Sequence, residues 1–158
     1  MKSIGLYIHI PFCYKKCLYC DFNSYANKDI YEEPYIEALL KELNYYINQG
    51  KYTFKTVFIG GGTPTIINPE NIERIIKAIE KNIEKDAEIT IECNPGTVDE
   101  KKALLYKTVG INRISIGLQA WQDELLNIIG RMHDRKGFIE SLNIFRKHGF
   151  DNINVDLM

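Results

Sequence analysis

The sequence contains no apolar run approaching the roughly 20 residues that a bilayer-spanning helix needs. Its first residues, MKSIGLYIHI, continue into the chain without the cleavage pattern of a secretory leader. Neither sign of charge dominates: 20 Lys and Arg stand among 21 Asp and Glu, for a net charge of -1, with no long block of either. That balance argues against a nucleic-acid partner, because phosphate recognition leaves a basic face or stripe. Linkers, low-complexity tracts and any sign of a second domain are also missing. At 158 residues, 45% hydrophobic and 26% charged, the chain reads as one soluble domain of cytoplasmic type. Cysteine is scarce, with four in all. In such a chain they point to metal or redox chemistry before a disulfide framework.

Three of those cysteines crowd into residues 8–22, IHIPFCYKKCLYCDF, as Cys13, Cys17 and Cys20. A closed structural zinc site takes four protein ligands, and disulfides use cysteines in pairs. A 4Fe-4S cube held by three thiolates leaves one iron open to a substrate or cofactor, which accounts for a set that stops at three. The competing reading is zinc with His9 as the fourth ligand, although His9 falls on a strand and not on a zinc-knuckle turn. Cys93, alone beside Asn94-Pro95, reads as a small core residue.

Period-2 and period-3.6 runs alternate along the chain, the pattern of successive βα units around a parallel sheet. Strands are expected near 5–10, 56–59, 88–93, 113–118 and 152–157. Between them lie amphipathic helices. One carries Ile36, Leu40, Leu43 and Ile47 and ends at Gly50; the next is capped by Asn68-Pro69 and carries Ile72, Ile75, Ile76, Ile79 and Ile83. Thr97 to Glu100 fits a capping box before a helix with Leu104 and Leu105 inward and Gly110 at its end. A short helix near Asp123–Ile129 and a longer one from Arg135 to Lys147, with Phe138, Leu142 and Phe145 inward, complete the set.

A parallel strand buried on both faces reads as a continuous apolar run, and these strands do not. Leu6, Ile8 and Ile10 oppose Tyr7 and His9; Ile89 and Ile91 oppose Thr90 and Glu92; Ile114, Ile116 and Leu118 oppose Arg113, Ser115, Gly117 and Gln119. The last strand sets Ile153, Val155 and Leu157 against Asn152, Asn154 and Asp156. Helices on the apolar face would leave a polar interior, so the expected fold is α/β, a partial parallel (β/α) barrel of TIM-barrel type, with a doubly wound open sheet as the alternative. Because the sequence stops inside a strand, residues 1–158 are expected to be one core domain at the N-terminal end of a longer protein.

Polar residues gather where strands end. Gly60-Gly61-Gly62-Thr63-Pro64-Thr65 follows the second strand, and consecutive glycines allow close backbone approach to a ligand. Glu92, Gln119 and Asp156 lie at or near the C-terminal ends of later strands, with Arg131 after the short helix. In βα barrels that rim carries the chemistry.

The spacing Cys-x3-Cys-x2-Cys resembles the signature of the radical S-adenosylmethionine (SAM) enzymes. LYIHIPFC, CLYCDFNSY, FIGGGTPT, IECNPGTVD, NRISIGLQ, GRMHD and NVDLM resemble its coproporphyrinogen III oxidase-like branch. The resemblance implies a 4Fe-4S cluster on Cys13, Cys17 and Cys20, with the open iron chelating the amino and carboxylate groups of SAM. It implies SAM contacts at Tyr7, Gly61, Gly62, Thr63, Glu92, Gln119, Arg131 and Asp156. It also implies reductive cleavage of SAM to methionine and a 5'-deoxyadenosyl radical. The oxygen-independent oxidases of this branch carry a further cysteine two positions after the third, where this chain has Phe22. The CDFNSY form resembles the heme chaperones, which bind heme and deliver it to an acceptor protein; the alternative is decarboxylation of coproporphyrinogen III to protoporphyrinogen IX. No heme ligand is assigned within this chain.

Overall fold

A computed structural model describes residues 1–158. In chain order the elements are β1 (Lys2–Ile10), β2 (Phe12–Cys13), β3 (Tyr25–Ala26), α1 (Glu32–Ile47), β4 (Tyr52–Gly61), α2 (Pro69–Ile79), β5 (Ile83–Cys93), α3 (Glu100–Thr108), β6 (Arg113–Gln119), α4 (Asp123–Ile128), α5 (Arg135–Lys147) and β7 (Asn152–Leu157). The long strands form one parallel sheet in the order β1-β4-β5-β6-β7. A doubly wound sheet reverses its strand order at a switch point. Here the order follows the chain without reversal, as in a (β/α) barrel segment.

The alternation seen in the sequence decides which face the helices cover. Ile8, Ile10, Val57, Ile59, Ile91, Ile114 and Ile116 are all buried on one face. Ile36 and Leu43 of α1, Ile72, Ile75, Ile76 and Ile79 of α2, Ala103 and Tyr106 of α3, and Phe138 and Phe145 of α5 join them in one core. Neighbouring helices pack in chain order, α1 on α2, α2 on α3 and α3 on α5. Each fully buried Ile contributes on the order of 1.5–3 kcal/mol, so helix packing, more than propensity, holds these segments in place. No helix is long and apolar enough to cross a membrane.

The caps explain most helix starts. Asn68 Oδ1 accepts from the Glu70 amide at 3.1 Å with Pro69 in the first turn, and Asp134 accepts from the Gly137 amide at 2.7 Å ahead of α5. Three expectations need correction. The α2 stripe ends at Ile79; a 3-10 turn intervenes, and Ile83 opens β5 while still packing on the core. Thr97 does not cap α3: its hydroxyl donates to the Asn94 carbonyl at 2.6 Å, and Asp99 caps instead, accepting from the Lys102 amide at 2.8 Å. Ala103 and Tyr106, three apart, take the inward stripe of α3, Leu105 flanks it, and Leu104 is turned out, 57% exposed.

Candidate functional site

The sheet face away from the helices is a continuous polar lane set by strand register. Tyr7 pairs with Phe58, Phe58 with Thr90, Thr90 with Arg113 and Arg113 with Asn152. One step nearer the C-terminal rim, His9 pairs with Gly60, Glu92 with Ser115 and Ser115 with Asn154, and beyond these Gly117 pairs with Asp156. The lane organises itself: Ser115 Oγ donates to Asp156 Oδ2 at 3.0 Å, and Asn154 Nδ2 donates to Asp156 Oδ1 at 2.7 Å. Gly60 and Gly117 keep it open, because a Cβ at Gly60 would lie 2.7 Å from Glu92 Oε2 and one at Gly117 would lie 2.8 Å from Gln119 Nε2.

At the rim, two loops interlock. The Gly62 amide donates to the Ile10 carbonyl and the Thr63 amide to the Phe12 carbonyl, each at 2.8 Å, so the glycine loop is laid against the start of the thiol loop. A Cβ on Gly62 would lie 2.5 Å from Phe12 O and 2.9 Å from Cys13 Sγ, which only glycine avoids. The far side of the thiol loop is held by the segment after α4. The Leu18 amide donates to the Ile129 carbonyl at 3.1 Å, and Gly130, at φ 76°, has Leu18 so close that a Cβ would meet it at 3.0 Å.

Cys13, Cys17 and Cys20 open together onto one cavity of about 460 Å³, whose lining also includes Gly61, Gly62, Thr63, Glu92, Gln119, Arg131 and Asp156. Its size falls within the roughly 300–1,000 Å³ of small-molecule sites. No three His, Cys, Asp or Glu side chains gather closely enough to hold a single metal ion, and the three thiols line the cavity at separate positions. Tyr7 stands apart. It is 56% exposed and borders a smaller recess that shares Phe22, Gly61 and Glu92 with the main cavity.

His9 has a task other than metal ligation. Its Nε2 lies 2.8 Å from the Asn23 carbonyl, which only accepts, and its Nδ1 lies 3.0 Å from the Tyr7 hydroxyl. In the neutral ring Nε2 therefore carries the hydrogen and Nδ1 accepts from Tyr7. Both nitrogens are committed, and no lone pair is left for zinc. Cys93 is buried as expected, and burial pushes its thiol up to about 11.

Charge at the cavity is arranged for a ligand carrying both signs. Glu92 accepts from the Gly61 amide at 2.9 Å. Desolvation first, and also the nearby Asp156 carboxylate, raise its pKa above the usual carboxylate range, against the lowering pull of the Gly61 bond and of His9. Arg131 is buried; its Nη2 donates to Gly117 O at 2.5 Å and Asn94 Oδ1 at 2.6 Å, its Nη1 faces Tyr19 Oη and Cys17 Sγ, and its Nε has no partner. Gln119 adopts φ 72°, a left-handed conformation uncommon outside glycine. Backbone strain of this kind gathers at ligand sites.

Asn94, Tyr19, Phe58, Ser115 and Asn154 also line the cavity and were not singled out from sequence. Ser115 and Asn154 were visible as polar-face positions, but alternation gives a face and not a depth. Asn94 precedes a proline and reads as an ordinary turn residue.

A parallel sheet backed by helices on one face, with three thiols and a glycine loop at its C-terminal rim, defines a radical SAM domain. The sequence model of the Radical SAM superfamily matches residues 7–158, and the chain belongs to that superfamily. Over its whole length the chain is 42% identical to the heme chaperone HemW of Haemophilus influenzae, of which it covers 43%. It is 39% identical to the heme chaperone HemW of Bacillus subtilis, of which it covers 42%. Among solved structures, coproporphyrinogen III oxidase (HemN) from Escherichia coli, described as a radical SAM enzyme, matches with TM-score 0.85 and 30% identity over 97% of this chain and 36% of that one. The chain thus spans less than half the length of each of these proteins. Membership of the superfamily implies a 4Fe-4S cluster and SAM.

Proposed function

We propose that residues 1–158 form the radical SAM core domain of a cytoplasmic heme chaperone. In this reading Cys13, Cys17 and Cys20 hold the cluster, and Tyr7, Gly61, Gly62, Thr63, Glu92, Gln119, Arg131 and Asp156 contact SAM. The donor set suits both groups. Three thiolates leave one iron free, while two acids and an arginine in one cavity match a ligand with an ammonium, a sulfonium and a carboxylate. Glu92, whose pKa desolvation raises, and the unpartnered Arg131 Nε are groups that such a ligand would satisfy. When bound, the cluster supplies one electron to the sulfonium of SAM.

The residues of this chain do the rest. Glu92 holds the Gly61 amide in place, Ser115 and Asn154 orient the Asp156 carboxylate, and the Tyr7 hydroxyl donates to His9 Nδ1, which leaves the Tyr7 oxygen's lone pairs free to accept from a ligand. The observation that carries the heme reading is Cys20-Asp21-Phe22. Phe22 is 65% exposed and lines the cavity at the position where the oxidases of this branch carry a fourth cysteine. Whole-length similarity to proteins named heme chaperones supports the same choice. The second reading, oxidative decarboxylation of coproporphyrinogen III, is favoured by the likeness to HemN.

Anaerobic incubation of the full-length protein with SAM and coproporphyrinogen III, beside a heme titration, separates the two. The expected result is heme binding with no protoporphyrinogen above background. Product formation without heme binding would reverse the assignment.

A further inference from the structure

Asn94 sits where bonds reaching two of the thiols cross. Arg131 only donates, so the amide oxygen of Asn94 must face it, and Arg131 Nη2 donates to Oδ1 at 2.6 Å. The amide nitrogen is therefore turned to Thr63, whose Oγ1 accepts at 2.8 Å. With its oxygen accepting there, the Thr63 hydroxyl keeps its own hydrogen for another acceptor, and Cys13 Sγ lies 3.7 Å away. The other terminal nitrogen of Arg131 points at Cys17 Sγ, at 3.6 Å. An iron-bound thiolate carries no hydrogen and can only accept, so both contacts run toward sulfur. Asn94 is itself anchored, because its carbonyl accepts from the Thr97 hydroxyl at 2.6 Å.

We propose that Asn94 is a positioning residue that sets the reduction potential of the cluster, by holding the Thr63 hydroxyl and the Arg131 guanidinium as donors to the Cys13 and Cys17 sulfurs. This rests on the reading that Cys13, Cys17 and Cys20 bind a 4Fe-4S cluster. Adding one electron makes the cluster more negative, and donors at its sulfurs stabilise that state, raising the potential.

The test uses the full-length protein without SAM, with cluster content read from iron and sulfide and the midpoint potential from a mediated electrochemical titration. Asn94→Ala should load the cluster and shift the midpoint more negative by a factor of ten in the one-electron equilibrium, about 59 mV. Thr63→Val, which removes the hydroxyl at similar size, should shift it in the same direction by less, and Thr63→Ser should restore the wild-type value. Asn94→Ala combined with Thr63→Val should move little beyond Asn94→Ala alone, because the two act through one hydroxyl. A loaded Asn94→Ala or Thr63→Val protein with the wild-type midpoint overturns the proposal. If Asn94→Ala does not load, Thr63→Val decides; failure of both to load assigns these residues to cluster retention and also overturns it. A wild-type protein with no iron-sulfur cluster on these thiols refutes the underlying reading instead.

Discussion

Gly62→Ala tests whether the thiol loop and the glycine loop form one rigid joint. The new methyl would lie 2.5 Å from the Phe12 carbonyl oxygen and 2.9 Å from Cys13 Sγ. Ordinary carbon-oxygen contacts are about 3.3 Å or longer, so the loops must part by close to an ångström. The obstacle is backbone and cannot rotate away. Separation strains the Gly62-to-Ile10 and Thr63-to-Phe12 bonds, both 2.8 Å, each worth about 0.5–1.5 kcal/mol. Overpacking of this kind costs about 1–3 kcal/mol.

Gly60→Ala is the informative contrast, since its methyl would meet Glu92 Oε2 at 2.7 Å and Phe58 Cε1 at 2.8 Å, both side-chain ends that can swing aside. Gly50→Ala is the control: at φ 64° with nothing within 4 Å, it carries only the roughly 1–2 kcal/mol cost of a left-handed residue. Urea unfolding with iron content and SAM titration would read all three in the full-length protein. Gly62→Ala should lose stability and iron together, Gly60→Ala should keep iron and bind SAM more weakly, and Gly50→Ala should lose stability alone. Full iron and unchanged stability in Gly62→Ala would refute the joint.

Further outcomes follow from the same geometry. Anaerobic reconstitution should give about four irons and four sulfides per chain, lost on substituting Cys13, Cys17 or Cys20 by Ala and kept in Cys93→Ala, whose thiol is buried and protonated; stoichiometric zinc without an iron chromophore would contradict the cluster. Glu92→Ala and Asp156→Ala should each weaken SAM binding by about 1–3 kcal/mol at unchanged iron content, and unaltered affinity in calorimetry would remove both from the site. His133 is pushed down to about 4 by desolvation first and by Arg131 second. Because the unfolded chain then binds the extra proton more readily, stability should be complete above about pH 6.5 and fall as pH drops toward 4. His133→Gln should flatten that slope in urea midpoints measured across the range, and an equal slope in both proteins would refute the assignment.

What the sequence made legible follows from how each feature is encoded. The polar and apolar split of the strands is written at every second residue, so the covered face and the polar lane were readable, while the alternation of strand and helix periods gave the parallel sheet; the structure places Ile8, Ile59, Ile91 and Ile114 on the buried side. The thiols were readable as a group because three of them fall within eight residues, and the structure brings all three to one cavity. Asn94 was not, because its importance lies in two bonds to residues 31 and 37 positions away, and nothing local marks an asparagine before a proline as a hub. Leu104 misled for a related reason: two adjacent leucines cannot share one helix stripe, and Tyr106 outcompetes Leu104 because it stands three residues from Ala103. Phe22 is the reverse case. Its neighbours in sequence single it out, yet only the cavity gives the residue meaning, since an exposed aromatic ring beside the thiols offers apolar surface to a flat ligand and no proton or electron chemistry of its own.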